Sequence, residues 1–322
     1  MAFGTVIAFL LILGVAEPTP MVESSETTSD YSDLAMVSDN VFLAVTDRKT
    51  PVESGCRVML LNLTGNDGVQ VQPVTVMDWC DSEDEPSDLE ACCKIPGRTN
   101  EFLLAESGCY HGKYGRVFHV TLNLEKSQDP ELIVNGVMRI YDRQLNADQA
   151  SYSGDNVAGM VCFEAAGNLV LAFGERGGET AHGRKLGTLV WGQLDLKEYH
   201  FNRWGESPLV NKSVLQARDC AALHLTKMSD GSFSLLSVAT QDPGGNGPFY
   251  SVVFRAGKFV PGEVAGRFEF QRCAALEVLS TIDGHKVEGL ASSVSNAPQS
   301  DFSISTDDEN LGGVWRAITI DH

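Results

Sequence analysis

The chain repeats one pattern five times, and no other feature limits its fold so tightly. The copies begin at residues 33, 88, about 156, 219 and about 286. The first runs from Asp33-Leu34-Ala35-Met36 through Val41-Phe42-Leu43-Ala44-Val45-Thr46-Asp47 to Arg57-Val58-Met59-Leu60-Leu61. The last runs from Val287-Glu288-Gly289-Leu290-Ala291 through Phe302-Ser303-Ile304-Ser305-Thr306-Asp307-Asp308 to Gly313-Val314-Trp315-Arg316. Each copy reads as a small-residue strand, a turn, an apolar strand ending on an acid or amide, a loop and a third strand. Outer-strand candidates follow at Val69 to Trp79, Glu131 to Tyr141, Leu209 to Ala217 and Arg267 to Leu279. Helical periodicity with caps is nearly absent.

Strand modules at this spacing stack radially as blades, because no single module can bury both its faces. The expectation is an all-β chain forming a β-propeller. Five blades are favoured over six, and most blades have four strands around a central channel. The competing architecture, one large β-sandwich, gives no reason for matching acids at the end of every second strand. One question stays open: the chain stops just after the third strand of the last copy, so that blade has no evident outer strand.

Residues 1–16, with the apolar run Val6 to Val15, read as a signal peptide. The run is too short for a bilayer span of ~20 residues, and Gly14 and Ala16 suit a cleavage site. Residues 17–32 read as a flexible acidic linker and residues 33–322 as a single propeller domain. This organisation implies a secreted, extracellular or periplasmic protein with no membrane insertion once the leader is removed. Its net charge of −19 repels phosphate backbones, which excludes nucleic acid as a partner. The expected partners are a small anionic or ester substrate, or a protein ligand, and the expected state is a monomer. Of eight cysteines, Cys92, Cys162 and Cys220 sit in apolar runs and read as core thiols. Cys56, Cys80 and Cys109 lie nearer loops and are the better bridge candidates.

In a propeller, matching positions fall on a ring. Aligning the second strands places Asp47, Glu106, Glu175, Gln241 and Asp307 in one column and Arg48, Arg176, Asp242 and Asp308 in the next. Carboxylates gathered at one rim must protonate, pair with arginine or bind a cation. Hard oxygen ligands suit calcium, which is the expected cofactor. The alternative is that each acid braces its own blade's turn. Glu90 and Glu288 occupy equivalent positions on the first strands, where the other copies carry alanine, and they join the candidate metal ligands. Arg48, Arg176, His182 and Arg218 are the candidate anion-binding residues. No GxSxG, HExxH, GxxxxGK[ST] or GxGxxG motif occurs, so those hydrolase and nucleotide-binding chemistries lose their main support.

The repeated Asp88-Leu89-Glu90-Ala91 and Val287-Glu288-Gly289-Leu290-Ala291, each followed by a strand ending on Glu106 or Asp307, resembles the phytase-like β-propeller family. The resemblance extends over all five copies and implies an exported, calcium-associated hydrolase of phosphate or related esters. The alternatives are a non-catalytic binding scaffold and a lactonase-like propeller with Asn156 and Glu288 among its metal ligands.

Overall fold

The computed structural model describes residues 30–49, 55–64, 68–80, 85–108, 114–125, 129–140, 157–177, 186–215 and 218–320. The signal-peptide segment, nearly all of the linker, Cys109, Asn156 and His182 lie outside them. No helix of the described residues is long and apolar enough to cross a membrane.

The architecture is a five-bladed β-propeller. Blade 1 comprises β1 (Asp33–Ser38), β2 (Val41–Val45), β3 (Val58–Thr64) and β4 (Gly68–Pro73). A two-residue strand, β5 (Thr75–Val76), then crosses over and pairs in parallel with the outer strand of blade 2. That blade comprises β6 (Leu89–Lys94), β7 (Glu101–Glu106), β8 (Arg116–Asn123) and β9 (Glu131–Arg139). Blade 3 has β10 (Val157–Ala165), β11 (Asn168–Glu175), β12 (Thr188–Asp195) and β13 (His200–Pro208). Blade 4 has β14 (Arg218–Lys227), β15 (Phe233–Gln241), β16 (Tyr250–Pro261) and β17 (Phe268–Asp283). Blade 5 has three strands, β18 (Val287–Ser292), β19 (Phe302–Thr306) and β20 (Trp315–Ile318). Each of the innermost strands β1, β6, β10, β14 and β18 touches the next, and β18 meets β1, so the ring closes.

The inner strands are apolar almost throughout because each blade is sandwiched between two others and buries both faces. Strand β7 reads Glu-Phe-Leu-Leu-Ala-Glu with five of its six residues buried. Between blades 3 and 4, Phe163 packs against Phe233, Phe259 and Phe268 with ring centroids 4.5–5.5 Å apart. Burying side chains of this size contributes about 2–3 kcal/mol each. Trp79 and Trp191 are core residues.

Two outer strands differ from the expected ones. The third blade's outer strand is His200–Pro208, not Leu209 to Ala217. An outermost strand faces solvent and loses the apolar run, whereas Leu209 and Val210 are apolar because the loop they occupy is buried against blade 4. The Val69 to Trp79 segment is likewise split, half staying in blade 1 as β4 and half crossing to blade 2 as β5.

Among the described residues blade 5 has no outer strand, and its seam with blade 1 is held by hydrogen bonds at both ends. The Tyr31 amide donates to Thr306 O (3.1 Å), and both Tyr31 and Ser32 are buried, so the propeller begins slightly ahead of residue 33. At the other end, Ser295 N donates to Asp39 Oδ1 (2.9 Å) and Asn296 N to Asn40 Oδ1 (3.0 Å). Asn296 Nδ2 reaches Leu63 O (2.9 Å). The seven described cysteines are free thiols. Cys92 and Cys220 are buried as expected, Cys162 is half-buried, and Cys56 and Cys80 form no bridge.

Candidate functional site

The first strands begin and the second strands end at the same end of the channel, so residues at these junctions converge on the axis. Four of the five first strands break register there, three by a one-residue bulge and β14 by a longer irregularity between Arg218 and Ala222. Register with the second strand jumps at Glu90 in blade 2, Ala158 in blade 3 and Glu288 in blade 5. A bulge leaves one residue without a cross-strand partner and re-aims its side chain. The two glutamates are therefore equivalent, and the small residues around them have a steric origin. A Cβ on Gly289 would lie 3.1 Å from Leu34 N and 3.2 Å from Asp33 Cα, on the neighbouring inner strand.

Around these bulges every blade contributes charge. Blade 5 supplies the central cation, Lys286, whose side chain is almost fully buried. Its Nζ lies 2.5 Å from Asp307 and from Glu309, 3.5 Å from Glu288 and 3.7 Å from Asp242. Blade 4 supplies Arg218, which donates to Glu288 (2.6 Å) and to Asp242 (2.7 Å). Blade 1 supplies Asp47 and Lys49, the latter 3.4 Å from Asp47 and 3.3 Å from Asp88 of blade 2. Arg176 of blade 3 is close enough to Asp88, Glu90 and Asp242 to favour the charged form of each. Asp88 has φ +63° and Glu309 φ +52°, left-handed conformations that cost energy outside glycine and cluster at functional sites.

The electrostatics divide these acids into two kinds. Burial, reinforced by Asp88 and Glu288, pushes the Glu90 carboxyl well above its usual range. Burial together with Glu288 raises Asp307 to about 8, despite Lys286. Burial and Asp47 raise Asp30 to about 7. At Asp242 burial also opposes charge, but Arg218 and then Lys286 outweigh it and hold the carboxyl below its ordinary value. Carboxyls whose charge is disfavoured and one whose charge is favoured thus share one cluster. Such divergence assigns acid and base roles in many enzymes.

The sequence-level columns are only partly realised. Val45, Glu106, Glu175, Thr240 and Thr306 are the true equivalents, each facing the start of its first strand. Asp307 lies one residue beyond this register and Asp47 two, and these two reach the axis. Glu106 stays inside its own blade, where Arg116 donates to it at 2.7 and 3.0 Å and the Ser87 amide at 2.9 Å. Glu175 is buried in its own blade opposite Val157 and Thr188. Asp308 braces its turn by accepting from Lys286 N (2.7 Å) and Thr306 Oγ1 (3.0 Å), and His285 Nδ1 lies 2.7 Å away. The Arg48 side chain donates to Cys56 O (3.2 Å) in its own blade. Glu90, Glu288, Arg176 and Arg218 join the axial cluster. Sequence reading missed Lys49, Lys286 and Asp30. Lys286, two residues before Glu288, was the legible signal, since a buried acid repeat needs a cation beside it.

Calcium fits this donor set poorly. The oxygens it would need on Asp88, Asp242, Glu288 and Asp307 already meet Lys49, Arg218 or Lys286. Among the described residues no three of His, Cys, Asp and Glu are disposed to hold a metal ion.

No family model matches the chain, and no curated protein does. Among solved structures it is similar to an exo-1,5-α-L-arabinanase from a bovine ruminal metagenomic library. The TM-score is 0.51 and the identity 13%, over 94% of this chain and 100% of that one. An exo-β-1,3-galactanase from Phanerochaete chrysosporium follows at TM-score 0.46 and 11% identity, over 92% and 64% of the two chains. A GH43 β-1,3-galactosidase has TM-score 0.46 and 8% identity, over 93% and 96%. The likeness to the arabinanase is one of fold.

The phytase-like resemblance is overturned: no family model matches the chain, and the solved structure whose fold it shares is an arabinanase. Its physical basis was also insufficient. A glutamate flanked by small residues is what a bulged strand at a crowded axis accommodates, whatever chemistry the propeller performs.

Proposed function

We propose that the chain is a glycoside hydrolase that cleaves a small carbohydrate at the axial end where the first strands begin. The observation that supports this most is the pairing of a proton-retaining carboxyl, Glu90, with an ionised one, Asp242, beside the same arginines, Arg176 and Arg218. Glycosidic cleavage requires two carboxyl groups of this kind, one protonating the leaving oxygen and one serving as base or nucleophile. In this reading Glu90 is the acid and Asp242, whose side chain retains 15% exposure, is the partner that acts on water or the sugar. Arg218 and Lys286 keep Asp242 ionised, and Glu288 fixes Arg218. The fold shared with the arabinanase adds support at the level of architecture. Lys and Arg already meet the carboxylates, which favours a neutral sugar over an anionic ester and over calcium-assisted phosphate chemistry.

The test is turnover of para-nitrophenyl arabinosides and galactosides and of arabinan oligosaccharides by the purified chain. Glu90→Gln is expected to lower kcat by about 10²–10⁴-fold with the melting temperature essentially kept. No turnover of any of these glycosides by folded protein, or full activity in Glu90→Gln, refutes the assignment.

A further inference from the structure

Away from the axial charges, the first strands of blades 2 and 3 bring two thiols together. On β6, Ala91 and Cys93, followed just beyond the strand by Ile95, face blade 3, while Cys92 faces blade 1. On β10, Met160 and Cys162 face blade 2, while Val161 and Phe163 face blade 4. Strand alternation therefore points Cys93 and Cys162 at each other across the interblade seam. Both belong to the same apolar cluster between the two blades, close enough for the Cys162 thiol to perturb that of Cys93. Both are free thiols, about 70 residues apart in the chain. Their accessibility differs. Cys93 is buried, whereas Cys162 is half-buried and lines a cleft of about 510 Å³ with Pro96, Glu164, Gly167, Leu225 and Lys227. This cleft lies at the opposite end of the inner strands from the axial acids, near the end of β6 and β10.

We propose that Cys93 and Cys162 form a reversible redox site, in which exchange with a small disulfide such as oxidised glutathione staples blade 2 to blade 3. Cys162, reached from the cleft, attacks one sulfur of the small disulfide, forming a mixed disulfide and releasing one thiolate. Cys93 then attacks the Cys162 sulfur and expels the second thiolate, and the two protons lost by the cysteines end on the released thiols. The protein pair is oxidised by two electrons and one small disulfide is reduced to two thiols. Burial raises the Cys93 thiol well above its usual pKa, so the second step is the slower one. The bond would join innermost strands of neighbouring blades and restrict a loop of about 70 residues in the unfolded chain.

The experiment uses the full chain, reduced and then equilibrated in glutathione buffers of increasing oxidised fraction. Peptide mapping without reduction is expected to recover a Cys93–Cys162 cross-link two hydrogens lighter than the separate peptides. The melting temperature is expected to rise by roughly 5–10 °C. Cys162→Ala should abolish the cross-link, Cys93→Ala should stop at glutathione on Cys162, and Cys92→Ala should leave the cross-link intact. The proposal is overturned if both thiols stay free in fully oxidised glutathione while the protein remains folded. It is equally overturned if Cys93 pairs with Cys92 or any other cysteine.

Discussion

Lys286→Met is the most informative single perturbation of the axial cluster. The lysine is 1% exposed and has four carboxylates within 3.7 Å, two of them at 2.5 Å. Methionine fills a similar volume but carries no charge, so Asp307 and Glu288 lose a partner in a place water does not reach. Removing one side of a buried ion pair costs about 3–5 kcal/mol, which lowers the melting temperature by on the order of 10 °C. The cost also depends on pH. Asp307 already titrates near 8 in the folded protein, above its unfolded value. A raised folded pKa contributes stability that is complete below the unfolded pKa and is lost as pH rises through the folded one. Without Lys286 the folded pKa rises further. Above about pH 8 the wild type releases this proton while the variant retains it. The gap between them therefore widens by up to ~1.4 kcal/mol per pH unit. Thermal melts by circular dichroism at pH 6, 8 and 9, on Lys286→Met, Asp307→Asn and the double variant, measure both effects. The double variant should be less destabilised than the sum of the singles by about 1–3 kcal/mol. A single variant within about 0.5 kcal/mol of wild type, or strict additivity, would show that the lysine does not neutralise Asp307.

Glu106→Gln strands the buried Arg116 guanidinium and should cost about 3–5 kcal/mol in denaturant melts, while the pH dependence of any hydrolytic activity stays unchanged because the pair lies off the axis. Gly289→Ala drives a Cβ against Ser305 Oγ and the backbone of blade 1. It should lower stability by about 1–3 kcal/mol, read as a shifted urea midpoint with unchanged slope. Wild-type protein should melt at a higher temperature at pH 6 than at pH 9, since Asp30 and Asp307 carry folded pKa values of about 7 and 8, and a melting temperature flat across that window would contradict both. Millimolar calcium should move the melting temperature by less than about 1 °C, because ligand-linked stabilisation needs a site the lysines and arginines do not already fill.

The repeat, the strand type and the blade count were legible in the chain because each blade must satisfy the same local demands: two buried faces, a crowded inner strand and a tight return. Observed first strands begin at Asp33, Leu89, Val157, Arg218 and Val287, close to the copy starts read from sequence. Glu90 and Glu288 were legible for the same reason, as polar exceptions in a small-residue strand. Two kinds of information were not. Outer strands such as His200–Pro208 face solvent and lose the apolar pattern that identifies the inner ones. The acid columns failed because the acids do not stand at one register: opposite the start of its first strand the acid is level in blades 2 and 3, one residue beyond in blade 5 and two beyond in blade 1, so linear alignment slips by one or two residues. That slip decides whether a carboxylate points at the axis, as Asp307 does, or stays within its blade against an arginine, as Glu106 does. Sequence thus determined that acids would gather at one end of the ring. Only tertiary packing decided that Lys286 and Arg218 would meet them there, because partners drawn from five blades become neighbours only when the ring closes.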